Sequence, residues 1–484
     1  MAEVSCGLGG LSFNDALLRV TGSPVVGENA VRILRDGKQN YPEWEAAIES
    51  AQKTIHIEMY IIHNDRTGRH FRDLLVARAG AGIKVRVLYD WFGSISTLGR
   101  GMWRALVDAG GEVRVVNPPG FGSLLGWASR DHRKLLTVDR SMAFISGLCI
   151  GDAWVGDGTK KGAPWRDTGV VIRGPAVAYA EEAFAAAWRL AGPSIPAREP
   201  GYAAEIAQEG DVSISIVATS PEFAGLYRLD LLAAAVAKDY LWLTDAYFLG
   251  TSPYIQALRS AAMDGVDVRL LVPRGSDIQW IANISRTMYR SLLEAGVRVF
   301  EWNGLMMHAK TAVCDDRMAR VGSTNLNISS WIRNWELDVV IEDTGLAKEM
   351  KEMFVEDFRK STEIVITGLN KVRPARPLAP TGRLIPASSG GKSVLAGVVK
   401  VGSALNDAVT GRRRLGRTES ASLMSIGWFL FLFATAVVLF PKSIAYPLGA
   451  ILGWAGIFFI VKSLQLRFGK TRPKRRRKKD KKQV

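Results

Sequence analysis

Two histidines of this chain stand in the same local pattern, each with a lysine two positions later and an aspartate seven positions later. The first pattern lies in "RDHRKLLTVDR" and the second in "MMHAKTAVCDD". The six residues are His132, Lys134, Asp139, His308, Lys310 and Asp315. A single histidine in an apolar strand is ordinarily a hydrogen-bonded residue of the core. The chain has only five histidines, and the repetition of both spacings in two of them argues instead for shared chemistry.

The spacing of histidine and lysine predicts which side chains act together. Residues two positions apart on a strand point to the same face, so each histidine projects beside its lysine. If the two copies meet, two imidazoles and two ammonium groups converge on one pocket, which suits an anionic tetrahedral phosphorus centre. The lysines would hold non-bridging oxygens, one neutral imidazole would attack phosphorus, and the other, protonated, would donate to the leaving oxygen. The acceptor of the resulting phosphohistidine is water or another alcohol.

A turn of small residues follows each pattern, "SGLC" at 146–149 and "GSTN" at 322–325. In the second turn, Ser323 and Asn325 are expected to add neutral hydrogen-bond donors to the phosphate. The first turn has Cys149 where the second has Asn325. Because a thiol is a weak donor, we expect the phosphate pocket to be asymmetric.

A carboxylate follows each turn, Asp167 in "WRDTGVVIRG" and Glu336 in "NWELDVVIED". Each is expected to orient an imidazole through its second ring nitrogen, as the third member of a catalytic triad does. Asp139 and Asp315 complete the catalytic motif, but their odd offset from the histidine points them to the opposite face and indicates a supporting role. No metal-ligand set and no cofactor motif is visible in the sequence, and the predicted chemistry uses neither.

An internal repeat surrounds the two patterns and predicts the architecture. "GIKVRVLYDW" at 82–91 matches "GVDVRLLVPR" at 265–274. Short β-branched stretches alternate with alanine-rich helical stretches such as "VAYAEEAFAAAWRLA". We therefore expect an α/β fold of two duplicated halves, each a mostly buried sheet flanked by helices. A pseudo-twofold axis between the halves would bring His132 and His308 together.

The basic residues are concentrated at the C-terminal end. The formal net charge of +16 divides into +20 over residues 371–484 and −4 over residues 1–370. A nuclease of this chemistry would be expected to carry a basic groove for phosphate contacts, and the acidic body argues against nucleic acid as a partner. A noncatalytic membrane scaffold would have no reason to keep both histidine–lysine pairs.

Two uncharged apolar runs of 19 residues each lie within this basic region, at 422–440 and 443–461. Either run is long enough to cross roughly 30 Å of hydrocarbon as a helix. Pro441 and Lys442 separate them, so we expect a membrane hairpin, although a re-entrant insertion or a buried core hairpin fits the same pattern. Flanking arginines and lysines place both ends in the cytoplasm. The basic tail is expected to bind anionic lipid headgroups at the cytoplasmic face of the cell membrane.

The remaining segments complete the predicted organisation. The N-terminus has no basic and apolar stretch of a secretory signal, and three scattered cysteines indicate a reducing compartment. A Pro/Gly-rich linker holds one helical stretch, which would lie on the bilayer or pack on the catalytic body. The predicted segments are a lead-in at 1–40, the two halves at 41–200 and 210–365, the basic linker at 366–421, the two-helix membrane hairpin at 422–462 and a polybasic tail at 463–484.

The twin HxKxxxxD patterns, the "GSTN" turn and the following carboxylate resemble the phospholipase D superfamily. With "IHIEMYIIHNDRTGRHF", "VRVLYDWFG" and the apolar hairpin, residues 25–365 and the C-terminus resemble more narrowly bacterial cardiolipin synthases and their close relatives. The resemblance implies transfer of a phosphatidyl group through a phosphohistidine, with phosphatidylglycerol as the phospholipid substrate. It also implies His132 as the nucleophile and His308 as the acid and base.

Several alternatives stay open at this stage. The opposite assignment of the two histidines fits the same residues. Hydrolysis of phospholipid to phosphatidic acid differs from transfer only in whether water or a lipid alcohol reaches the phosphohistidine. The sequence indicates neither the acceptor alcohol nor an oligomeric state.

Overall fold

The structure is a computed structural model, which describes residues 12–97, 100–118, 129–157, 162–196, 206–221, 223–367, 371–375 and 454. Contacts divide the chain into Met1–Lys392 and Ser393–Val484, and the fold below belongs to the first unit. The predicted membrane hairpin and polybasic tail lie outside the described residues, apart from Trp454. None of the helices in the described ranges combines the length and apolar character that a bilayer crossing needs.

Strands make up most of each half. Those of the first half are β1 (Val26–Arg35), β2 (Thr54–Met59), β3 (Lys84–Asp90), β4 (Glu112–Val116), β5 (Lys134–Val138), β6 (Met142–Ser146) and β7 (Thr168–Arg173). Those of the second half are β8 (Val212–Thr219), β9 (Tyr240–Thr244), β10 (Asp267–Pro273), β11 (Arg298–Trp302), β12 (Thr311–Cys314), β13 (Met318–Gly322), β14 (Glu336–Glu342), β15 (Ser361–Ile366) and β16 (Val372–Pro374).

The strand order shows the duplication directly. In the described part of the chain sixteen strands form one sheet, in the order β4-β3-β2-β5-β6-β7-β1-β8-β14-β13-β12-β9-β10-β11-β15-β16. Outward from β1 the first half has the same order as the second half outward from β8. The antiparallel pairing of β1 with β8, with Val26 opposite Ile214, joins them. The prediction of two α/β halves is therefore confirmed, and β15 and β16 extend the second half alone.

Helices cover the faces of the sheet. They are α1 (Phe13–Thr21), α2 (Asp36–Ser50), α3 (Arg66–Gly80), α4 (Arg100–Asp108), α5 (Val177–Leu190), α6 (Gly225–Val236), α7 (Ser252–Met263), α8 (Gln279–Glu294), α9 (Ile328–Ile332) and α10 (Thr344–Arg359). The strand β2 is parallel to β3, and β9 is parallel to β10. Since parallel neighbours need a crossover, α3 and α7 connect them.

The two halves contribute extensively to one of the three hydrophobic cores, here called the shared core. This shared core contains buried residues of α5 and α10, such as Phe184 and Phe354, together with strand residues of both halves. A second core lies mainly under α2 to α4 of the first half and also includes Ala246, Leu305 and Met306 of the second half. The third core lies under α1 and under α6 to α8 of the second half. Burial on both faces explains why strands such as "KLLTV" and "YLWLT" are buried at every position.

The first half begins earlier than the predicted boundary at residue 41. Within the predicted lead-in, β1 pairs with β7 from Ala30 opposite Arg173 to Arg35 opposite Thr168. The stretch "VGENAVRILR" is only partly buried, and its sequence accordingly lacks the apolar character of a fully buried strand.

We predict that Ile172→Ala weakens the shared core. Ile172 is 0% exposed, and its truncation should leave a cavity that lowers the free energy of unfolding by about 2 to 5 kcal/mol. Urea denaturation measures the change. The control is Val107→Ala, at a position that is 53% exposed, where we expect a change under about 0.5 kcal/mol. Equal effects at the two positions would contradict a shared core at Ile172.

Candidate active site

His132 lies in an extended segment that pairs with the other half of the molecule. The strand β5 begins only at Lys134, so the histidine precedes the strand on which it was expected. The backbone N–H of His132 donates to the carbonyl oxygen of Trp335 at 2.9 Å. The residue after Trp335 is Glu336, and its Oε2 accepts a hydrogen bond from Nδ1 of His132 at 2.9 Å.

His308 repeats this arrangement from the second half. It also precedes its strand, since β12 begins at Thr311. The backbone N–H of His308 donates to the carbonyl oxygen of Arg166 at 2.7 Å. Nδ1 of His308 then donates to Oδ2 of Asp167, the next residue, at 2.7 Å. Each imidazole is therefore oriented by a carboxylate of the opposite half, and this crossed pairing makes one site from two copies of the motif.

Further hydrogen bonds fix both carboxylates. Oε2 of Glu336 also accepts from the hydroxyl of Ser323 at 2.6 Å, and Oε1 accepts from the Asn334 amide at 3.2 Å. Oδ2 of Asp167 also accepts from the Trp154 indole N–H at 2.9 Å. Because an ionised carboxylate only accepts hydrogen bonds, each histidine carries its proton on Nδ1, and the lone pair of the neutral ring lies on Nε2.

Both motif lysines are buried next to their own histidine. Nζ of Lys134 donates to the carbonyl oxygen of His132, and Nζ of Lys310 donates to that of His308. Nζ of Lys310 also lies 3.1 Å from Nδ1 and 3.2 Å from Nε2 of the His308 ring. The alternation that predicts a common face therefore holds, although each histidine precedes its strand.

Burial determines the charge of the imidazoles. Burial, opposed by Glu336 and reinforced by the lysines, lowers the pKa of His132 to about 4. Burial and the neighbouring Lys310 ammonium lower the pKa of His308 to about 3. Burial also lowers the pKa of Lys310 to about 8. At neutral pH the unliganded site therefore holds two neutral imidazoles between two ionised carboxylates.

Aromatic rings pack against the imidazoles, and the sequence analysis missed them. The Tyr60 ring meets the His132 ring edge to face at 4.8 Å, and the Tyr247 ring meets that of His308 at 5.9 Å. Trp165 lies 5.3 Å from His308 between ring centroids. The sequence could have indicated these tyrosines. Tyr60 follows β2, which pairs with β5, and Tyr247 follows β9, which pairs with β12. These rings exclude water and contribute to the burial that keeps both histidines neutral.

Of the two predicted phosphate donors in the second turn, Ser323 is engaged in other hydrogen bonds, whereas the role of Asn325 stays a prediction. The hydroxyl of Ser323 donates its proton to Glu336 and accepts from the Leu337 N–H at 2.9 Å, so it holds the carboxylate and has no proton for a phosphate. The side-chain amide of Asn325 makes no hydrogen bond within the described ranges, and its Oδ1 is buried without a partner. Cys149 is buried, and burial raises the pKa of its thiol.

Both motif aspartates lie at the far end of the motif strand, about 16 Å from the lysine along the chain. Asp139 and Asp315 adopt a left-handed φ of +52° in the hairpin after the strand, a conformation that aspartate tolerates better than most residues. The Asp139 carboxylate accepts three backbone N–H groups at 2.7 to 2.8 Å from the start of β2. The Asp315 carboxylate accepts three at 2.8 to 2.9 Å before β9. These contacts give both aspartates a structural task.

The arrangement has the parts of a phosphoryl-transfer site. Two neutral imidazoles can act as nucleophile and as proton carrier, and two ammonium groups can hold phosphate oxygens. Glu336 and Asp167 can stabilise the positive charge that develops on an attacking or protonated imidazole. Across the residues with assigned positions, no group of three or more histidine, cysteine or acidic side chains is arranged to hold a metal ion.

Comparison with known proteins gives consistent matches. A family model described as "Cardiolipin synthase, PLD-like domain" matches residues 45–155 and 231–358. A cardiolipin synthase of Alkalihalophilus pseudofirmus is 31% identical over 369 residues, which cover 75% of this chain and 73% of that protein. Cardiolipin synthase A of Pseudomonas aeruginosa is 33% identical over 375 residues, with 75% and 74% covered.

A solved structure shares the fold at low sequence identity. The phosphatidylserine synthase of Haemophilus influenzae Rd KW20 superposes with a TM-score of 0.58 at 15% identity. The match covers 74% of this chain and 91% of that chain. At this identity the similarity concerns the fold alone.

We predict that neither His132 nor His308 takes up a proton between pH 8 and pH 5 in the unliganded protein. Since burial lowers their pKa values to about 4 and about 3, protonation should begin only below that range. NMR titration of ¹⁵N-labelled imidazoles, assigned with His132→Asn and His308→Asn, measures each midpoint. A midpoint above pH 6 for either ring would contradict the burial described here.

Proposed function

The chain belongs to the cardiolipin synthase family with phospholipase D-like domains, a family of phospholipid-modifying enzymes, and we propose that it transfers a phosphatidyl group from phosphatidylglycerol to a lipid alcohol through a covalent phosphohistidine. The observation that carries this proposal is the crossed pairing of His132 with Glu336 and of His308 with Asp167. The printed names of the relatives, cardiolipin synthases, favour a second phosphatidylglycerol as the acceptor.

In the first step, Nε2 of His132 attacks the phosphorus of the bound phospholipid. A P–N bond forms, the P–O bond to the glycerol headgroup breaks, and the departing oxygen takes the proton of His308. Lys134 and Lys310 hold the non-bridging oxygens as their charge rises. The hydrogen bond from Nδ1 to Glu336 stabilises the positive charge that the phosphorylated imidazole acquires.

In the second step, the hydroxyl of the acceptor lipid replaces the headgroup. It gives its proton to the neutral His308 ring, and its oxygen forms a new bond to phosphorus. The P–N bond breaks, so His132 becomes neutral and His308 regains its proton. The cycle needs no external acid or base, because the two displacements use the same proton carrier in opposite directions.

The charge of the substrate supplies the protonated form of His308. In the unliganded site burial and Lys310 lower the pKa of His308 to about 3, so the ring is neutral at pH 7. A phosphodiester brings a negative charge into the buried site, which favours the imidazolium and raises this pKa. Proton uptake is therefore coupled to substrate binding.

The different contacts of the two imidazoles support His132 as the nucleophile. Nζ of Lys310 lies 3.2 Å from Nε2 of His308 and 3.1 Å from Nδ1, so the ammonium group crowds that ring. Lys134 instead donates to the backbone carbonyl oxygen of His132. The lone pair on Nε2 of His132 is accordingly the more available for attack, and we assign the acid and base role to His308.

Membrane attachment belongs to the proposal on sequence grounds. Two apolar runs of 19 residues and a net charge of +20 over residues 371–484 favour a C-terminal hairpin in the bilayer. The arginines and lysines around it favour a cytoplasmic catalytic body on an anionic membrane surface. This placement would present the site to phospholipid headgroups.

We predict that the purified full-length protein converts phosphatidylglycerol in mixed micelles to cardiolipin and free glycerol. His132→Asn and His308→Ala should each lower turnover by about 10³-fold or more, because nucleophile and proton carrier are both required. The matched control is His70→Ala, at a side chain that is 53% exposed, which should retain full activity. Lipid products are separated and quantified by mass spectrometry.

The covalent intermediate is tested in the same preparation. An alkaline quench during turnover should leave a phosphatidyl group on His132, and none should be found in His132→Asn. Phosphatidic acid as the only lipid product would show that the protein hydrolyses phospholipid and does not transfer the phosphatidyl group to a lipid alcohol. Full activity in either motif-histidine variant would contradict the two-histidine mechanism.

A further inference from the structure

Arg166 is a buried arginine directly before the carboxylate that orients His308. Its side chain is 4% exposed and meets Asp357 of α10, which is 3% exposed. Nε of Arg166 donates to Oδ2 of Asp357 at 3.0 Å, and Nη2 lies 2.8 Å from the same oxygen. Asp357 belongs to the second half and Arg166 to the first, so the ion pair joins the halves.

The third nitrogen of the same guanidinium fixes the backbone of Asp167. Nη1 of Arg166 donates to the carbonyl oxygen of Asp167 and to the Thr168 hydroxyl at 2.9 Å. It also lies 3.2 Å from Oδ1 of Asp36, which accepts the backbone N–H of Asp167 at 3.0 Å. Both backbone polar groups of Asp167 are thereby fixed, and its carboxylate has little freedom to turn away from His308.

The backbone of Arg166 adds two hydrogen bonds to the segment that carries His308. Its N–H donates to the carbonyl oxygen of Met306 at 2.9 Å, and its carbonyl oxygen accepts from the His308 N–H at 2.7 Å. A displacement of Arg166 would therefore move both members of the histidine–carboxylate pair relative to α10.

The other half fixes its carboxylate with an arginine from a different place in the repeat. Trp335, not an arginine, precedes Glu336. Nε of Arg133 donates to the carbonyl oxygen of Glu336 at 3.3 Å, and its guanidinium lies 5.0 Å from the Trp335 ring centroid. Asp167 and Glu336 therefore each accept a hydrogen bond from a buried guanidinium at their backbone carbonyl oxygen. The two arginines do not stand at corresponding positions of the repeat. This recurrence indicates that the contact serves the site as well as the fold.

We propose that Arg166 and Asp357 form a positioning pair, which aligns Asp167, and through it His308, for proton transfer. The inference rests on the proposed function, because it assigns the proton to His308. Without the pair, the carboxylate and the imidazole keep their chemistry but lose their fixed geometry. Since a misplacement near 1 Å costs about 10²-fold in rate, the loss should appear in kcat and leave phospholipid binding intact.

The test uses Arg166→Met, Asp357→Asn, the double variant and the conservative Arg166→Lys in the full-length protein. Each single variant should lower kcat for phosphatidylglycerol in mixed micelles by about 10- to 100-fold with KM changed less than about 3-fold. The double variant should be no slower than the slower single variant, because the two residues act through one another. Arg166→Lys should recover part of the rate. The control is Arg298→Met. The Arg298 side chain in β11 is 43% exposed and pairs with Glu363 of β15 at 2.8 Å, and we expect the kcat of this variant to be unchanged.

A second readout separates positioning from folding and from the proposed function. The Nδ1–H resonance of His308 in ¹⁵N-labelled protein reports the hydrogen bond to Asp167, and it should shift in Arg166→Met and Asp357→Asn while thermal unfolding remains cooperative. Wild-type kcat and an unshifted His308 resonance in folded variants would overturn the inference. If His308→Ala remains active, the proposed function fails instead, and the resonance still decides whether the pair positions this imidazole.

Discussion

The active site depends on two hydrogen bonds that cross between the halves of the duplicated body. Nδ1 of His132 donates to Glu336 at 2.9 Å, and Nδ1 of His308 donates to Asp167 at 2.7 Å. Neither half can orient its own imidazole, so a single copy of the motif would be incomplete. The shared core under α5 and α10 and the pairing of β1 with β8 hold the halves at the required distance. The packing between the halves therefore fixes the positions of the His132 and His308 side chains.

Burial determines the protonation state of the two motif histidines. An exposed histidine would be partly protonated near neutral pH, whereas burial lowers the pKa of both motif histidines and leaves a free lone pair on each ring. The same burial would be costly for the two lysines without nearby counter-charges, and Asp167 and Glu336 supply them. An anionic substrate then completes the charge balance. The two halves remain unequal, since Lys310 contacts the ring of His308 whereas Lys134 donates to the backbone carbonyl oxygen of His132.

The internal repeat in the sequence predicts the two-half α/β fold. The alternation of side chains along an extended chain predicts that each lysine lies beside its histidine. The crossing of the carboxylates could not be predicted, since it depends on which half supplies the strand beside each histidine. The role of Ser323 could not be predicted either. A hydroxyl near a phosphate site suggests a donor to phosphate, but the single hydroxyl proton of Ser323 is donated to Glu336. The residues Arg166 and Asp357 are 191 positions apart, and only the fold brings them together.

The most direct measurement of the central claim is a crystal structure of the protein with vanadate, which mimics the phosphorus centre during displacement. We predict one vanadate per chain, bonded to Nε2 of one motif histidine, with the other imidazole within roughly 3 Å of an opposite oxygen. Both lysine ammonium groups should contact the same ion. Separate vanadate ions in the two halves, or an imidazole paired with a carboxylate of its own half, would contradict the account.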